Sequence, residues 1–334
     1  MSEASNNPVY DAALAYQRTA ALIAAVKLDI FTVIGRETLT ADTLSSKTGA
    51  SARGLRILCD YLTAIGLLKK EELSYGLTPA ARRYLDKSSP AAIGECIDFL
   101  AAPEMIGLSL NDPVSYVHRG GADGLASLAS DHPIWVRFAR AMAPFAAPTA
   151  KRVAAYVAVL PEKPRTVLDV AAGHGLYGIE VAKIISDAII TVIDWAEVLA
   201  VTRANAEVAG VQDRLRVIAG NAFDVDWGGG FDLVLLANFL HHFSREDCVT
   251  LLSKVKTSLS PRGQVMAIDF VPNPDRVSPP IPAMFAFSML AQTPSGDAYT
   301  LNDLDGMARD AGFGGAVARP LSPTPETLVV FNLR

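Results

Sequence analysis

The feature that most constrains the fold is the segment 167–178, Val-Leu-Asp-Val-Ala-Ala-Gly-His-Gly-Leu-Tyr-Gly. An apolar run typical of a buried strand ends at Gly173 and Gly175, and a helical pattern follows. A sharp turn from strand into helix needs small residues, because the backbone must pass close to a ligand at the helix N-terminus. Ala171 and Ala172 are nearly as small as glycine. The segment therefore predicts a nucleotide- or adenosine-binding crevice in a doubly wound α/β sheet.

The C-terminal half of the chain alternates between strand and helix patterns. Strands separated by helical crossovers make a mostly parallel sheet, so we predict a Rossmann-like domain over residues 161–334. The predicted strands are 165–171, 189–193, 215–219, 231–237, 263–270 and 327–332, and the predicted helices are 176–185, 196–209, 244–259 and 301–311.

Residues 1–100 have a different, largely helical pattern. Thr40 and Ser51 are suitable N-caps for two consecutive helices, Gly49 separates these helices, and residues 67–79 have the pattern of a small hairpin. Helix, turn, helix, hairpin is the order of a winged helix. Residues 1–100 contain 11 Lys and Arg against 11 Asp and Glu, whereas a DNA-binding domain needs surplus cations to displace counterions from phosphate. We therefore predict an all-α winged-helix docking or dimerisation domain and no nucleic-acid partner.

Residues 101–160 are predicted to be a helical linker. Four large apolar side chains recur every three or four residues and share one helix face. This stripe is compatible with a core-facing surface and with the wall of a substrate pocket. Its residues are Trp135, Phe138, Met142 and Phe145.

Composition excludes several classes of protein. The net charge of −5 favours neither nucleic acid nor an anionic membrane as partner, and no apolar run approaches the ~20 residues of a membrane span. The first seven residues lack the basic and apolar segments of a signal peptide, so we expect a cytoplasmic protein. The three cysteines and five histidines have no metal-ligand or redox spacing, and no metal site is predicted. They are Cys59, Cys96, Cys248, His118, His132, His174, His241 and His242.

The sequence of the crevice is compatible with two kinds of adenosine-bearing ligand. Residues 173–178 match the GxGxxG pattern, and Asp194 follows Gly175 by nineteen residues, as in NAD-binding proteins. However, Asp169 lies at the end of the first strand, where a carboxylate would repel a pyrophosphate and attract a cationic ligand. S-adenosylmethionine carries a sulfonium and an ammonium but no phosphate, so this cofactor fits better than NAD.

A second polar signal follows the strand 231–237. His241 and His242 come after an apolar run, and ligands of open parallel sheets lie beyond the carboxyl ends of the strands. A histidine has a reference pKa near 6.5 and can accept a proton at neutral pH. One histidine could instead cap the helix that begins near Ser244, so a catalytic role is favoured for only one of the two.

With these motifs the chain resembles the small-molecule O-methyltransferase family of bacterial secondary metabolism and plant phenylpropanoid pathways. Members combine an N-terminal winged-helix dimerisation domain with a C-terminal Rossmann-like methyltransferase domain. The resemblance covers nearly the whole chain, and motif order and spacing together make it specific. It rests on residues 168–175, Asp194, 240–243, 246–252 and 300–313.

The resemblance implies how the cofactor is held. Asp169 and Gly173 would line its methionine end, Asp194 would bind both ribose hydroxyls, and Trp195 would lie near the adenine. Asn221 stands where the family usually has an aspartate. The full predicted cofactor-binding set is Asp169, Gly173, Gly175, Asp194, Trp195, Asn221, Ala222, Phe223 and Asn238.

The resemblance also implies a catalytic group. His241 matches the family's base, and Asp269 and Asp303 match the two acids that orient it. His242 replaces a neighbouring aspartate, and Tyr299 replaces an arginine of the pocket. We predict methyl transfer to a hydroxyl of an apolar, aromatic or polyketide-like small molecule, by a homodimer and without metal. The predicted substrate residues are Phe138, Met142, Phe145, Met284, Phe287 and Met289, and Phe285 belongs to the same apolar stretch.

Two alternatives remain open from the sequence. The departures at His242 and Tyr299 are compatible with a relative that keeps the cofactor but catalyses hydroxylation, decarboxylation or pericyclic chemistry. A cofactor-sensing regulator that binds DNA through the winged helix is the other, and NAD-dependent redox chemistry is more distant.

Overall fold

The structure, a computed structural model, describes residues 7–333, apart from the side chain of Ala126. The chain divides into two compact units, the first ending at Ile106 and the second beginning at Gly107. Residues 107–160 of the predicted linker therefore belong to the second unit. Residues 1–6 and 334 of the predicted domains lie outside the described residues.

The first unit has the element order of a winged helix. The Thr40 side chain accepts a hydrogen bond from the backbone N–H of Thr43 and caps α4, which ends at a left-handed Gly49. Ser51 caps α5, and a hairpin follows. In the described part of this unit, the two-residue strand β1 joins the predicted hairpin in an antiparallel sheet of order β1-β3-β2. Its elements are α1 (Pro8–Ala13), α2 (Ala15–Lys27), α3 (Ile30–Ile34), β1 (Leu39–Thr40), α4 (Ala41–Thr48), α5 (Ala52–Ala64), β2 (Leu68–Glu71), β3 (Ser74–Leu77), α6 (Pro79–Tyr84) and α7 (Gly94–Leu100), while α8 (Pro103–Leu110) spans the boundary.

The described part of the second unit is built on a seven-stranded sheet of order β6-β5-β4-β7-β8-β10-β9. The first five strands in this order are parallel, and β10 and β9 are antiparallel. The order reverses at β4, so its carboxyl end borders the crevice expected of a doubly wound sheet. The strands are β4 (Thr166–Val170), β5 (Ile189–Asp194), β6 (Leu215–Ala219), β7 (Phe231–Ala237), β8 (Leu259–Asp269), β9 (Gly315–Pro320) and β10 (Thr327–Asn332).

Helices cover both faces of this sheet. On one face, alternate strand residues such as Val167 and Leu233 pack against α10, α11 and α12. On the other, Leu168 and Val234 pack against α13 and α15. This arrangement confirms the predicted Rossmann-like fold. The helices are α9 (Pro113–Arg119), α10 (Pro133–Ala158), α11 (Leu176–Ile184), α12 (Ala196–Val208), α13 (Arg245–Ser258), α14 (Pro280–Gln292) and α15 (Leu301–Asp310).

In the described part of the second unit, helix α14 and strand β9 were not predicted from the sequence. Helix α14 is apolar on nearly all sides, so it lacks the polar face that reveals a helical period. Strand β9 is short and mostly exposed or half-buried. Strand β8 begins earlier than predicted, at Leu259, because this residue already pairs with Phe231 of β7. The pairing is irregular between Leu259 and Gln264, the segment that contains Pro261.

Candidate active site

The turn between β4 and α11 is tightly constrained. Three of its residues, Ala171, Gly173 and Gly175, have positive φ angles of 53°, 58° and 72°. A Cβ on Gly175 would lie 2.4 Å from Cγ2 of Thr202 on α12, so this position has no room for a side chain. The hydroxyl of Thr202 also donates a hydrogen bond to the Gly173 carbonyl at 2.7 Å. The turn is therefore held between α11 and α12.

His174, between the two glycines, has a structural role in this turn. Its Nδ1 accepts a hydrogen bond from the Leu176 backbone N–H at 3.1 Å, and its carbonyl accepts one from the Asn205 amide. Burial lowers the pKa of His174 to about 4. The ring is therefore neutral at physiological pH and serves as an acceptor at the start of α11.

Asp194 bridges the ends of β4 and β5. One carboxylate oxygen accepts a hydrogen bond from the Gly173 N–H at 2.8 Å, and the other accepts one from the Trp195 N–H at 2.7 Å. Burial raises the pKa of Asp194 to about 6, against the effect of these two bonds. Trp195 packs against a small buried cluster formed by Ala139 of α10 with Val198 and Val201 of α12.

Asp169 is fully buried at the end of β4. Its Oδ2 accepts a hydrogen bond from the Gly178 N–H at 3.0 Å, whereas Oδ1 is buried and has no partner among the described residues. Burial, with a smaller contribution from the nearby Asp194, raises the pKa of Asp169 to about 7. A buried acceptor without a donor is costly, so Oδ1 is suited to a cationic ligand.

Asn238 offers a second acceptor of this kind. It follows β7 with a φ of 51°, and its amide nitrogen donates to the Tyr177 hydroxyl at 3.3 Å. Its Oδ1 is also buried without a partner among the described residues. Because β4 and β7 are paired neighbours, both oxygens belong to the same edge of the sheet. The residues present therefore fit the ammonium of S-adenosylmethionine.

Three of the predicted cofactor-binding residues, Asn221, Ala222 and Phe223, lie in a loop after β6. The Gly220 N–H donates to the Asp194 carbonyl at 2.9 Å, which joins this loop to the end of β5. The Asn221 side-chain oxygen accepts from the Phe223 N–H at 3.0 Å, so its amide shapes the turn. Ala222 is buried, and the Phe223 ring lies edge-on to Phe243 at 5.0 Å.

His241 lies in a short 3₁₀ turn after β7, and Asp269 ends β8. The Nδ1 of His241 is 2.6 Å from Oδ1 of Asp269, and both side chains are buried, with 5% and 6% of their surface exposed. A carboxylate oxygen accepts a hydrogen bond from an imidazole N–H, so this contact suits the tautomer with a proton on Nδ1 and a lone pair on Nε2. The Asp297 N–H donates to the His241 carbonyl at 3.0 Å. These two contacts fix the orientation of the His241 ring and of its backbone.

His242 packs against this base. The two imidazole centroids are 4.3 Å apart, with a 56° angle between the rings. Burial lowers the pKa of His242 well below its usual value, and His241 lowers it further. His242 is therefore neutral at physiological pH, and no hydrogen bond joins it to Asp269.

Asp303 lies in a different environment from the one predicted. Its Oδ2 accepts hydrogen bonds from the backbone and hydroxyl of Thr300 in a capping box at the start of α15, and it pairs with Arg276 at 2.8 Å. No hydrogen bond with His241 is found in residues 7–333. Of the two predicted acids, Asp269 alone makes contact with the base.

The predicted substrate residues are dispersed. Met284 and Phe287 are exposed, by 64% and 55%, while Met289 is buried. On α10, the side chains of Phe138, Met142 and Phe145 are half-buried. The side chain of α14 that contacts His241 is instead Phe285.

Phe285 was absent from the predicted substrate set. Its ring lies edge-on to His241 at 4.8 Å and stacks on Phe270 at 4.2 Å. Phe270 was not predicted either, although its place directly after Asp269 could have indicated it. The sequence of α14 is apolar on nearly all sides and contains no signal for the face that contacts His241. Tyr299, the other departure, donates its hydroxyl to the Phe243 carbonyl at 2.6 Å.

Neither a metal-binding cluster nor a membrane-spanning helix is present among the described residues. Within residues 7–333 no group of three or more His, Cys, Asp or Glu side chains is arranged to hold a metal ion. No described helix combines the length and apolarity needed to cross a membrane.

Comparisons with known proteins agree with this architecture. Residues 107–314 match the O-methyltransferase domain, and residues 10–87 match the O-methyltransferase dimerisation domain. A crystal structure of a provisionally assigned O-methyltransferase from Nostoc punctiforme is 42% identical, covers 97% of both chains and has a TM-score of 0.91.

Two more distant relatives have named activities. The tetracenomycin polyketide synthesis 8-O-methyl transferase of Streptomyces glaucescens is 24% identical over 95% of this chain and 94% of its own. Human N-acetylserotonin methyltransferase, in complex with S-adenosylmethionine, is 19% identical, covers 100% of this chain and 98% of its own, and has a TM-score of 0.83. The chain belongs to the O-methyltransferase family and is an S-adenosylmethionine-dependent O-methyltransferase with an N-terminal dimerisation domain.

Proposed function

We propose that this enzyme methylates a hydroxyl of an apolar, aromatic or polyketide-like small molecule, with His241 as general base and without a metal ion. The observation that carries the proposal is the buried 2.6 Å contact between His241 and Asp269. Because this contact engages Nδ1, Nε2 of His241 would be the proton acceptor, beside the aromatic rings of Phe285 and Phe270.

The base works as follows. Nε2 of His241 removes the proton of the acceptor hydroxyl while Asp269 keeps the Nδ1–H in place and stabilises the charge that develops on the ring. A phenol has a pKa of about 10, so only a small fraction is ionised unaided at pH 7. A positioned base typically contributes roughly 10²–10⁴-fold to the rate. Asp303 is not assigned to this step, because its carboxylate caps α15 and pairs with Arg276.

The crevice beside this base is proposed to bind the cofactor. When bound, S-adenosylmethionine supplies an electrophilic methyl group on a positively charged sulfur. Asp169 and Asn238 would accept hydrogen bonds from its ammonium, because each has a buried oxygen without a donor. Asp194 would bind the ribose, with Gly173, Gly175 and Trp195 around it, and Asn221, Ala222 and Phe223 would border the adenine.

An aromatic acceptor is supported by the residues around the base. Phe270 and Phe285 stack on each other, and Phe285 meets the edge of His241, so a planar acceptor would find aromatic surface beside the imidazole. The half-buried face of α10 with Phe138, Met142 and Phe145 remains part of the proposed pocket. The named activities of the Streptomyces and human relatives, on a polyketide and an acetylserotonin, point to the same chemical class.

The experiment that tests the proposal measures both products. The enzyme is incubated with S-adenosylmethionine and a panel of phenols and hydroxylated polyketides, and S-adenosylhomocysteine and methyl ether are quantified by mass spectrometry. We expect equal amounts of the two products with at least one acceptor. S-adenosylmethionine-dependent conversion to a hydroxylated or decarboxylated product without methyl ether would favour the non-methylating alternative, which His242 and Tyr299 keep open.

Metal independence and the absence of a nucleic-acid partner have their own tests. We expect EDTA to leave turnover unchanged, and a loss of activity that Mg²⁺ restores would contradict this. We expect no gel shift of genomic DNA fragments at physiological salt, because the first hundred residues have no surplus of cations.

A further inference from the structure

Lys254 on α13 makes an unusual set of contacts with the loop after β6. Its Nζ donates to the carbonyls of Ala222 at 2.9 Å, Phe223 at 2.9 Å and Val225 at 2.7 Å. The ammonium also lies 4.7 Å from the centroid of the Trp227 ring. An ammonium has three N–H donors, and here each has a backbone acceptor. One side chain thus fixes three carbonyls of one loop.

Two further contacts join this loop to the end of β5 and to the segment after β7. Its Gly220 N–H is bonded to the carbonyl of Asp194, and the Phe223 ring packs against Phe243 in the segment that contains the base. The carbonyls of Ala222, Phe223 and Val225 all accept from Lys254, and the Ala222 carbonyl also accepts from Nε1 of Trp227 at 2.9 Å. Lys254 is thus the one side chain that bonds to all three carbonyls among the described contacts of this loop, and it approaches them from the side of α13. The side chains of Ala222 and Phe223 take their directions from that backbone.

We propose that Lys254 is a positioning residue of the cofactor site, which holds the loop 221–225 in the conformation that receives the adenine. This inference rests on the proposed placement of the adenine beside Asn221, Ala222 and Phe223. Lys254 itself touches neither cofactor nor acceptor, and acts through the loop backbone.

The chain offers a matched control on the same helix. Lys256 donates to the carbonyl of Gly312 and lies 5.9 Å from the centroid of the Phe313 ring. It therefore makes the same kind of lysine–carbonyl–aromatic contact, but with the turn between α15 and β9. Replacing either lysine by methionine removes the charge and keeps a similar length.

The test compares Lys254→Met with Lys256→Met by calorimetric titration with S-adenosylhomocysteine. We expect the Kd of Lys254→Met to rise at least about tenfold, which corresponds to about 1.4 kcal/mol of binding free energy. The Kd of Lys256→Met should stay within about twofold of the wild-type value, since its contacts serve another turn. At saturating S-adenosylmethionine, kcat of Lys254→Met should also stay within about twofold, because a positioning residue for the cofactor affects binding more than the chemical step.

Three results would overturn the inference: an unchanged Kd in Lys254→Met, an equal rise in both variants, or a fall of kcat as large as the loss of affinity. Lys254→Gln, which keeps two N–H donors, provides a second variant and should give an intermediate Kd. If neither substitution at position 254 yields folded protein, as judged by thermal unfolding, the lysine serves the fold and the inference is wrong. Wild-type enzyme that produces methyl ether while Lys254→Met binds normally would refute this inference alone and leave the proposed function intact.

Discussion

At the scale of single residues, the site contains a buried carboxylate whose charge is unfavourable until a cationic ligand binds. Asp169 is buried with one oxygen lacking a partner among the described residues, and its pKa is raised to about 7. Its position at the end of the first strand was enough to predict a cationic ligand from the sequence. The capping role of Asp303 was missed, although Thr300 and Asp303 have the spacing of a capping box at the start of the predicted helix 301–311.

The first prediction concerns the pH dependence of stability. In the unfolded chain Asp169 ionises near pH 4, and in the folded chain at about 7, so the folded state binds more protons between these values. Stability from this group is therefore present below pH 4 and lost as the pH rises to 7. We expect Asp169→Asn to raise the Tm of the ligand-free protein at pH 8, by at least about 2 °C.

Differential scanning fluorimetry from pH 4 to pH 8 checks this prediction, and the gain in Tm should vanish towards pH 4. The same variant should bind S-adenosylhomocysteine about tenfold more weakly, since a carboxylate facing an ammonium is lost. A Tm difference that does not change with pH would show that Asp169 carries no such electrostatic cost.

At the scale of elements, small residues fix the geometry of the crevice. The turn between β4 and α11 was predicted from its glycines, and the parallel strands from their apolar runs and crossover helices. Helix α14, which carries Phe285 against the base, could not be predicted, because its sequence is apolar on nearly all sides. Tertiary packing rather than a local pattern decides which of its faces meets His241.

The second prediction compares two glycines of this turn. Gly175→Ala places a Cβ 2.4 Å from Thr202, whereas a Cβ at Gly173 meets nothing within 4 Å. Both positions carry the cost of a left-handed backbone, about 1–2 kcal/mol, but Gly175→Ala adds overpacking worth about 1–3 kcal/mol. Urea unfolding should therefore show a larger loss of unfolding free energy for Gly175→Ala. Equal losses would mean that α12 moves to accommodate the Cβ added at position 175 without loss of unfolding free energy.

At the scale of the whole molecule, the two units contain different functional parts. The second unit contains every residue of the proposed catalytic and cofactor-binding sets, and the first matches a dimerisation domain. The winged-helix pattern and the balanced charge of residues 1–100 together predicted docking rather than DNA binding. The sequence did not locate the boundary at residue 106, since both sides of it are helical.

The third prediction is a homodimer that depends on the first helices. Helix α1 buries none of its residues in one chain, and α2 buries only Ala25. Their exposed apolar side chains include Tyr10 and Tyr16, at 62% and 61%. Light scattering should give twice the mass of one chain for the wild type, and a shift to one chain for Tyr10→Glu/Tyr16→Glu. Leu73→Glu at the exposed hairpin tip is the control and should remain dimeric.

The central claim, that the His241–Asp269 pair is the general base, is tested most directly by kcat at saturating S-adenosylmethionine for His241→Ala. We expect a fall of at least about tenfold, within the roughly 10²–10⁴-fold range of a positioned base, with the Kd for S-adenosylhomocysteine unchanged. His242→Ala should lose less, since its ring packs on the base and has no bond to Asp269. Unchanged turnover in His241→Ala, or a larger loss in His242→Ala, would contradict the assignment.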